Sequence, residues 1–265
     1  MRVMTWNINS VRLRAELVLR AAAELRADVI CLQETKTPDE FFPHDVFDSA
    51  GFKHRHIQGM KGYNGVAILS KIPFDDVAIH HHVGREDCRH IAVNYKNFEL
   101  HNLYIPAGGD IPDRLENEKF GHKLDFVDEL TEWFGTHYSD QSSLMVVGDF
   151  NIAPYEHDVW SHQQLLKIVS HTPIEVEKLT AFRAGLDWVD VGRHFVPMGD
   201  KLYTWWSYRN RDWKKSNRGR RLDHIWVTQS LQSALKSHDV LTSTRDWVQT
   251  SDHVPVMVEL TIERL

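Results

Sequence analysis

Several apolar runs in this chain end abruptly in side chains able to do chemistry. Leu32-Gln33-Glu34-Thr35-Lys36 carries one such run straight into a glutamate. A carboxylate at a strand end suits a hard divalent cation such as Mg²⁺, which takes one or two carboxylates together with water and substrate phosphate. Taken alone, the commoner fate of such a glutamate is a solvated loop. Val146-Val147-Gly148-Asp149-Phe150-Asn151 then sets a carboxylate and a carboxamide two residues apart. In extended backbone both point to one side, so Asp149 could orient or deprotonate a water while Asn151 donates to a developing oxyanion. The same spacing also makes an ordinary Asx turn. Ser251-Asp252-His253-Val254-Pro255 places an acid and an imidazole just before the last apolar run. Adjacent side chains on extended backbone diverge, so Asp252 and His253 should meet different partners, one a metal and the other substrate. Asp223, in Leu222-Asp223-His224-Ile225, could hold an imidazole in its productive tautomer.

Seventeen histidines make a lone one uninformative, and His80, His81 and His82 read as a solvated loop without a role. Tyr104 ends an apolar run and is followed by Ile105-Pro106-Ala107-Gly108-Gly109, whose paired glycines would let backbone approach a ligand closely. Trp205-Trp206-Ser207-Tyr208 precedes Arg209, Arg211, Lys214, Lys215, Arg218, Arg220 and Arg221, seven cations in thirteen residues against the single Asp212. Aromatics interleaved with cations suit stacking on bases or sugars beside phosphate contacts, with one tryptophan stacking and the other anchoring the loop. The net charge of −6 argues mildly against a nucleic-acid partner, but a basic patch on an acidic body is compatible with one.

The elements that must hold these groups are legible as short apolar runs bounded by turns: Val3–Trp6, Val29–Leu32, Val66–Leu69, Ile91–Tyr95, Leu100–Tyr104, Leu144–Val147, Leu222–Val227 and Val254–Leu260. Helices are predicted from a Ser10 cap to about Arg26, from Pro112-Asp113 toward Thr136, and from Thr172-Pro173 to near Gly185. With 265 residues, 42% apolar and 26% charged, the chain reads as one globular domain over 1–265, not fibrous or disordered. No linker divides it. Two isolated cysteines, Cys31 and Cys88, exclude a disulfide framework or a cysteine zinc cluster. With no leader or membrane span visible, a cytoplasmic location is expected.

Thr5-Trp6-Asn7-Ile8-Asn9-Ser10-Val11-Arg12, Leu32–Lys36, Gly62-Tyr63-Asn64-Gly65-Val66-Ala67, Asn102–Pro106, Gly148–Asn151, Tyr203-Thr204-Trp205-Trp206, Arg221-Leu222-Asp223 and Ser251–Pro255 occur in this order. The set resembles the abasic-site endonucleases of exodeoxyribonuclease III type, within the endonuclease/exonuclease/phosphatase superfamily. That resemblance implies an α/β four-layer sandwich, two mixed β-sheets packed face to face with helices outside (deoxyribonuclease I-like). It further implies Mg²⁺, with Mn²⁺ as substitute, held by Glu34 with Asn7 and Asp252, and Asp149, Asn151 and His253 within reach of a second or moving ion. By the same resemblance Asp149 handles the attacking water, His253 contacts the scissile phosphate, Asp223 orients His253, and Tyr104 steadies the phosphate or leaving oxygen. Arg89, Trp206, Lys214 and Arg218 are the candidate substrate contacts, with Trp206 placed against a baseless sugar. The implied activity is hydrolysis of the phosphodiester 5′ to abasic sites in duplex DNA, with removal of nucleotides or blocking groups from 3′ ends, by a monomer. Ala107 stands where many relatives carry Asn or Gln, and Arg220 where an aromatic is common, which bears on the balance between incision and exonuclease action. Two rivals are a superfamily phosphatase acting on inositol phosphates or phospholipids, which leaves the tryptophans and the cationic run unexplained, and a catalytically dead DNA-binding module, which a complete residue set disfavours.

Overall fold

The computed structural model describes residues 1–210 and 212–261. Among them are twelve strands: β1 (Arg2–Asn7), β2 (Val29–Gln33), β3 (His54–Met60), β4 (Tyr63–Ser70), β5 (Asp76–His82), β6 (Arg85–Tyr95), β7 (Phe98–Tyr104), β8 (Leu144–Asp149), β9 (Val189–Asp190), β10 (Asp223–Val227), β11 (Leu235–Val240) and β12 (Val256–Leu260). The helices are α1 (Val11–Glu24), α2 (His44–Ser49), α3 (Glu118–His137), α4 (His162–Leu165), α5 (Pro173–Gly185), α6 (Val191–Phe195), α7 (Trp213–Ser216) and α8 (Gln229–Gln232). None is long and apolar enough to cross a membrane.

The strands form two mixed six-stranded sheets, ordered β11-β12-β1-β2-β4-β3 and β5-β6-β7-β8-β10-β9. Period-2 alternation explains the layering. Val3, Val29, Cys31, Val66 and Ile68 of the first sheet meet Ile91, Val93, Leu100, Met145, Val147 and Ile225 of the second in one core. The alternate residues Met4, Trp6, Ile30, Leu32, Ala67 and Leu69 face outward under Val11, Val18, Ala21 and Ala22 of α1. On the far side, Val146 and Trp226 lie under Phe126, Leu130 and Phe134 of α3 and Leu179 and Phe182 of α5. Central strands are thus covered on both faces, which is why they read as continuous apolar runs. Each fully buried Val, Leu or Ile side chain stabilises this arrangement by about 1.5–3 kcal/mol. The result is the four-layer, deoxyribonuclease I-like sandwich.

Each sheet holds one parallel pair joined through a helix, β1 with β2 across α1 and β7 with β8 across α3. A parallel pair must be linked by a crossover, so both of its strands end at the same edge. That geometry brings Asn7, the Glu34 loop, Tyr104 and Asp149 to one rim.

Several local expectations are corrected. Ser10 makes no side-chain cap; its φ is 86°, and its backbone N–H donates to the Glu34 carbonyl at 2.7 Å, docking the start of α1 onto the loop after β2. Helix α3 begins at Glu118, capped by Asn117, because Asp113 closes its own Asx turn on the Leu115 N–H at 2.7 Å. Helix α5 starts as expected, with a Thr172–Glu175 capping box. His80–His82 are strand, not loop: they end the sheet-edge strand β5, with His82 buried and His81 exposed. Gly108 is required by packing, since its φ is 86° and a Cβ there would sit 2.8 Å from the Lys123 side chain. Strands β3, β5 and β11 lie at or near sheet edges and carry mixed polar faces, so no apolar run marks them.

Candidate active site

At the rim, the Asn7 carboxamide sits between two carboxylates, donating to Glu34 Oε1 at 2.9 Å and to Asp149 Oδ2 at 2.8 Å. Asn7 is held in turn by Ser251, whose hydroxyl donates to its carbonyl at 2.6 Å. Tyr104, at the end of β7, donates its hydroxyl to the same Glu34 Oε1 at 2.9 Å. Lys36 pairs with Glu34 Oε2 at 2.7 Å and donates to Asn9 Oδ1 at 2.7 Å. Asp149 and Asn151 do meet, Nδ2 to Oδ2 at 3.1 Å, but through a turn instead of continued strand. Strand β8 stops at Asp149, and Asp149 Oδ1 accepts the Asn151 N–H at 2.9 Å in an Asx turn that aims both side chains. Beneath it, the fully buried Lys123–Glu175 ion pair braces the loop, with Lys123 Nζ donating to the Asn151 carbonyl at 2.8 Å.

Asn9, Ser10, Glu34, Lys36, Asn64 and Asn151 all have φ between 41° and 86°. Asn visits this region readily, but Glu and Lys do so at a cost of order 1–3 kcal/mol, and such strain gathers where a structure over-determines a site.

The second group comes from the opposite sheet and the C-terminal loop. His253 Nδ1 lies 2.8 Å from Asp223 Oδ2, which also accepts the Thr204 hydroxyl at 2.6 Å, and His253 Nε2 lies 3.7 Å from Asp149 Oδ2. Asp149, Asp223 and His253 are all buried, with one potential ligand atom each within 4.8 Å of the others. Asp252 diverges from His253 as expected and accepts the Trp205 indole N–H at 2.9 Å.

Burial, and then the neighbouring carboxylates of Asp223 and Glu34, raise the Asp149 carboxyl to about 7 despite the opposing pull of His253. Burial alone would lower His253, but Asp223 and Asp149 outweigh it and raise the imidazole to about 10. Burial opposes ionisation of Glu34 too, yet Lys36 and the Asn7 hydrogen bond hold it below its ordinary value. The Tyr104 phenol is pushed up by burial and by Glu34 and Asp149. The rim therefore carries oxygen donors and surplus buried negative charge, and Asp223 Oδ1 is buried without a hydrogen-bond partner. That chemistry fits a hard cation.

The candidate substrate contacts sort differently. Trp206 is 3% exposed, its indole N–H donates to Asn217 Oδ1 at 3.1 Å, and its ring packs against Tyr203 and Trp213. It anchors the loop and shows only a narrow edge, toward a pocket that it lines with Tyr203, Trp213 and Lys214. Trp205 is the half-buried member of the pair, tied to Asp252 and covered by the Arg220 guanidinium at 5.2 Å. Arg89 is buried as well; it donates to the Tyr104 carbonyl at 3.1 Å and to Asn64 Oδ1 at 3.2 Å, and pairs with Asp87, so it positions β7. Within the cationic run, Arg221 is consumed by Asp158 and Asp190 in the interior, and Arg220 donates to Ser170 Oγ at 2.8 Å. Lys214, Lys215 and Arg218 remain exposed, Lys214 pairing with Asp246 and Arg218 lying over Trp160. Arg211 falls outside the described residues. Ala107 is exposed, and its carbonyl accepts from Lys123 at 3.3 Å.

Lys36, Thr204 and Ser251 were given no role by the sequence. Lys36 and Thr204 lie inside the Glu-Thr-Lys and Tyr-Thr-Trp-Trp motifs, but nothing in their spacing assigns either a partner.

Comparison with known proteins places this geometry. The exodeoxyribonuclease III of Haemophilus influenzae is 26% identical over 98% of this chain and 99% of its own. An AP endonuclease from Archaeoglobus fulgidus superposes with a TM-score of 0.92 at 28% identity, covering 99% of this chain and 100% of that one. A 3′-5′ exonuclease from Neisseria meningitidis does so with a TM-score of 0.88 at 30% identity, covering 98% and 99%. The model of the endonuclease/exonuclease/phosphatase family matches residues 4–253. With a complete rim of Asn7, Glu34, Asp149, Asp223 and His253, the chain belongs to the endonuclease/exonuclease/phosphatase family.

Proposed function

We propose that this phosphodiesterase is a Mg²⁺-dependent DNA-repair nuclease that hydrolyses the bond 5′ to an abasic site in duplex DNA and clears nucleotides or blocking groups from 3′ ends. The observation that carries this reading is the Asn7–Glu34–Asp149–Asp223–His253 rim beside a half-buried Trp205. The family is metal-dependent. Glu34 and Asn7, with Asp149, Asn151 and Asp252 nearby, would hold the cation. Bound there, it supplies charge neutralisation for the pentacoordinate phosphate.

The chain's own residues account for the remaining steps. Asp149, held by Asn7 and the Asn151 N–H, accepts a proton from the attacking water. As the water oxygen bonds to phosphorus the P–O3′ bond breaks, and the 3′ oxygen leaves with the bonding pair and takes a proton from solvent to become the 3′ hydroxyl. His253, kept as imidazolium by Asp223 and Asp149, donates from Nε2 to a non-bridging phosphate oxygen. Asn151 Nδ2, bonded to Asp149 and to the Ile105 carbonyl, and the Tyr104 hydroxyl, bonded to Glu34, hold those two carboxylates at the rim and would have to exchange these partners to donate to phosphate. Trp205 offers an aromatic face to the sugar of an extruded baseless nucleotide, whose unpairing costs little. Lys214, Lys215 and Arg218 supply phosphate contacts.

A time course on a labelled duplex with one abasic site, with and without chelator, tests the proposal. Metal-dependent incision 5′ to the lesion is expected, and binding without cleavage would overturn it. A second reading, in which 3′-end processing predominates, is favoured by Arg220 covering Trp205, since a cation there narrows the aromatic surface open to a sugar. The ratio of incision to 3′-end removal in the same assay separates the two.

A further inference from the structure

Away from the rim, beneath α3, the second sheet buries a group of histidines that the nuclease chemistry does not use. His80 and His90 are direct cross-strand partners on β5 and β6, and His101 follows on β7, opposite Ala92 and so on the same face as His90. His82, two residues beyond His80, joins them. The rings touch one another and are roofed by Trp133 and Phe134. His90 and His101 are fully buried and His82 nearly so.

Two features make this unlike an inert histidine core. His82 Nε2 lies 2.9 Å from His90 Nδ1, and His90 Nε2 lies 3.0 Å from His101 Nδ1, so the rings form a chain. Of the remaining ring nitrogens, His80 Nε2 is buried without a hydrogen-bond partner, while His82 Nδ1 and His101 Nε2 face the carboxylates of Glu129 at 3.3 Å and Glu99 at 3.5 Å. Unpaired buried nitrogens are costly unless something occupies them.

We propose that His80, His90 and His101 form a second metal site, selective for a borderline transition-metal dication of the Zn²⁺ class and separate from the catalytic rim. One ring nitrogen from each lies within 4.8 Å of the others. Zn–N bonds of about 2.0–2.1 Å require the donors to close by roughly an ångström, within reach of small ring movements. An all-imidazole donor set suits Zn²⁺, Co²⁺, Ni²⁺ or Cu²⁺ and is unsuited to Mg²⁺. Binding would exchange the His90–His101 hydrogen bond for two metal–nitrogen bonds. Burial keeps all three rings below their ordinary imidazole values, His80 at about 4, so they are neutral and need lose no proton to bind. One proposed ligand has a carboxylate behind it, Glu99 on the Nε2 side of His101, which leaves His101 Nδ1 to face the ion. A carboxylate behind an imidazole orients it as a ligand. The ion would pin three neighbouring strands under α3.

The test is Co²⁺ titration of the whole protein, read by the visible d–d absorption of nitrogen-ligated cobalt, in the native chain and in Asp149→Asn, His80→Asn and His81→Asn. One equivalent is expected to give the signal in the native chain, Asp149→Asn and the exposed neighbour His81→Asn. His80→Asn should weaken it at least about tenfold, the scale seen even for partners behind a ligand. No signal in the native chain, or one that survives His80→Asn undiminished, would overturn the proposal, as would one lost in Asp149→Asn. A reading that needs no substitution is the imidazole ¹⁵N spectrum. Equimolar Zn²⁺ should shift the buried histidine resonances while Mg²⁺ does not, and an unchanged spectrum on Zn²⁺ addition would equally sink the idea.

Discussion

Replacing Asp223 by Asn isolates what the His253 charge contributes. Asn keeps the shape and can still bond the Thr204 hydroxyl and the imidazole, so the change removes one negative charge from 2.8 Å away. Two unit charges about 4 Å apart attract by about 4 kcal/mol at an effective dielectric constant near 20. At about 1.4 kcal/mol per pH unit that corresponds to roughly three units of imidazole titration. In the native protein His253 is raised to about 10 and is protonated throughout the working range. Without Asp223 it returns toward its ordinary value, stays protonated at pH 6 and is mostly neutral at pH 8. Complete loss of one positioned donor to the charge developing on phosphate costs about 10²–10³-fold in turnover, which sets the ceiling once the imidazole is fully neutral. With titration returned to about 7, roughly a tenth of the imidazole is still protonated at pH 8, so the expected result is a rate defect of about ten- to thirtyfold at pH 8 that nearly vanishes at pH 6, where the imidazolium is restored. The assay is single-turnover cleavage of a lesion-bearing duplex between pH 6 and 9. A defect of equal size at every pH would show that Asp223 acts by position alone.

Three further outcomes are expected. Because Asp149 is raised to about 7, a cation held by its carboxylate would compete with that proton, so divalent-metal affinity should climb as pH rises toward 7 and flatten above it, with proton release visible by calorimetry in buffers of different ionisation enthalpy. Trp205→Ala should impair cleavage of abasic DNA with little change in thermal stability, whereas Trp206→Ala, which empties a buried ring site, should cost about 3–5 kcal/mol in denaturant unfolding; the reverse pattern would reinstate Trp206 as the substrate contact. Replacing Lys214, Lys215 and Arg218 together by Ala should flatten the salt dependence of DNA binding by up to roughly three phosphate equivalents, and an unchanged slope would place the DNA elsewhere.

The parts of this molecule that could be read from sequence are those in which one physical requirement dominates. Central strands buried on both faces must be apolar throughout, so β1, β2, β8 and β10 announced themselves, and the polar residues ending them marked the rim. Edge strands obey weaker rules. In β5, His80 and His82 face α3 while His81 faces solvent, and a run of histidines signals neither strand nor burial. The tryptophan pair was legible as a pair, but which ring turns inward depends on Asn217, Tyr203 and Trp213 gathering around Trp206, and those contacts span a loop. The cationic run misled in part because charge counts do not reveal that Asp158 and Asp190 lie ready to bury Arg221. Asp113 and Asn117 compete to cap the same helix, and only the turn closed by Asp113 decides between them.

The central claim, hydrolysis of the phosphodiester on the 5′ side of a missing base, is tested most directly with a 5′-labelled duplex carrying a central tetrahydrofuran residue. That analogue cannot undergo β-elimination, so only hydrolysis can cut it. In Mg²⁺ the expected product is a single labelled fragment ending in a 3′ hydroxyl, which a polymerase extends without further processing and which is absent when chelator is added. An intact tetrahydrofuran duplex beside rapid cleavage of a natural abasic site would mean lyase chemistry and would contradict the assignment of Asp149 and His253.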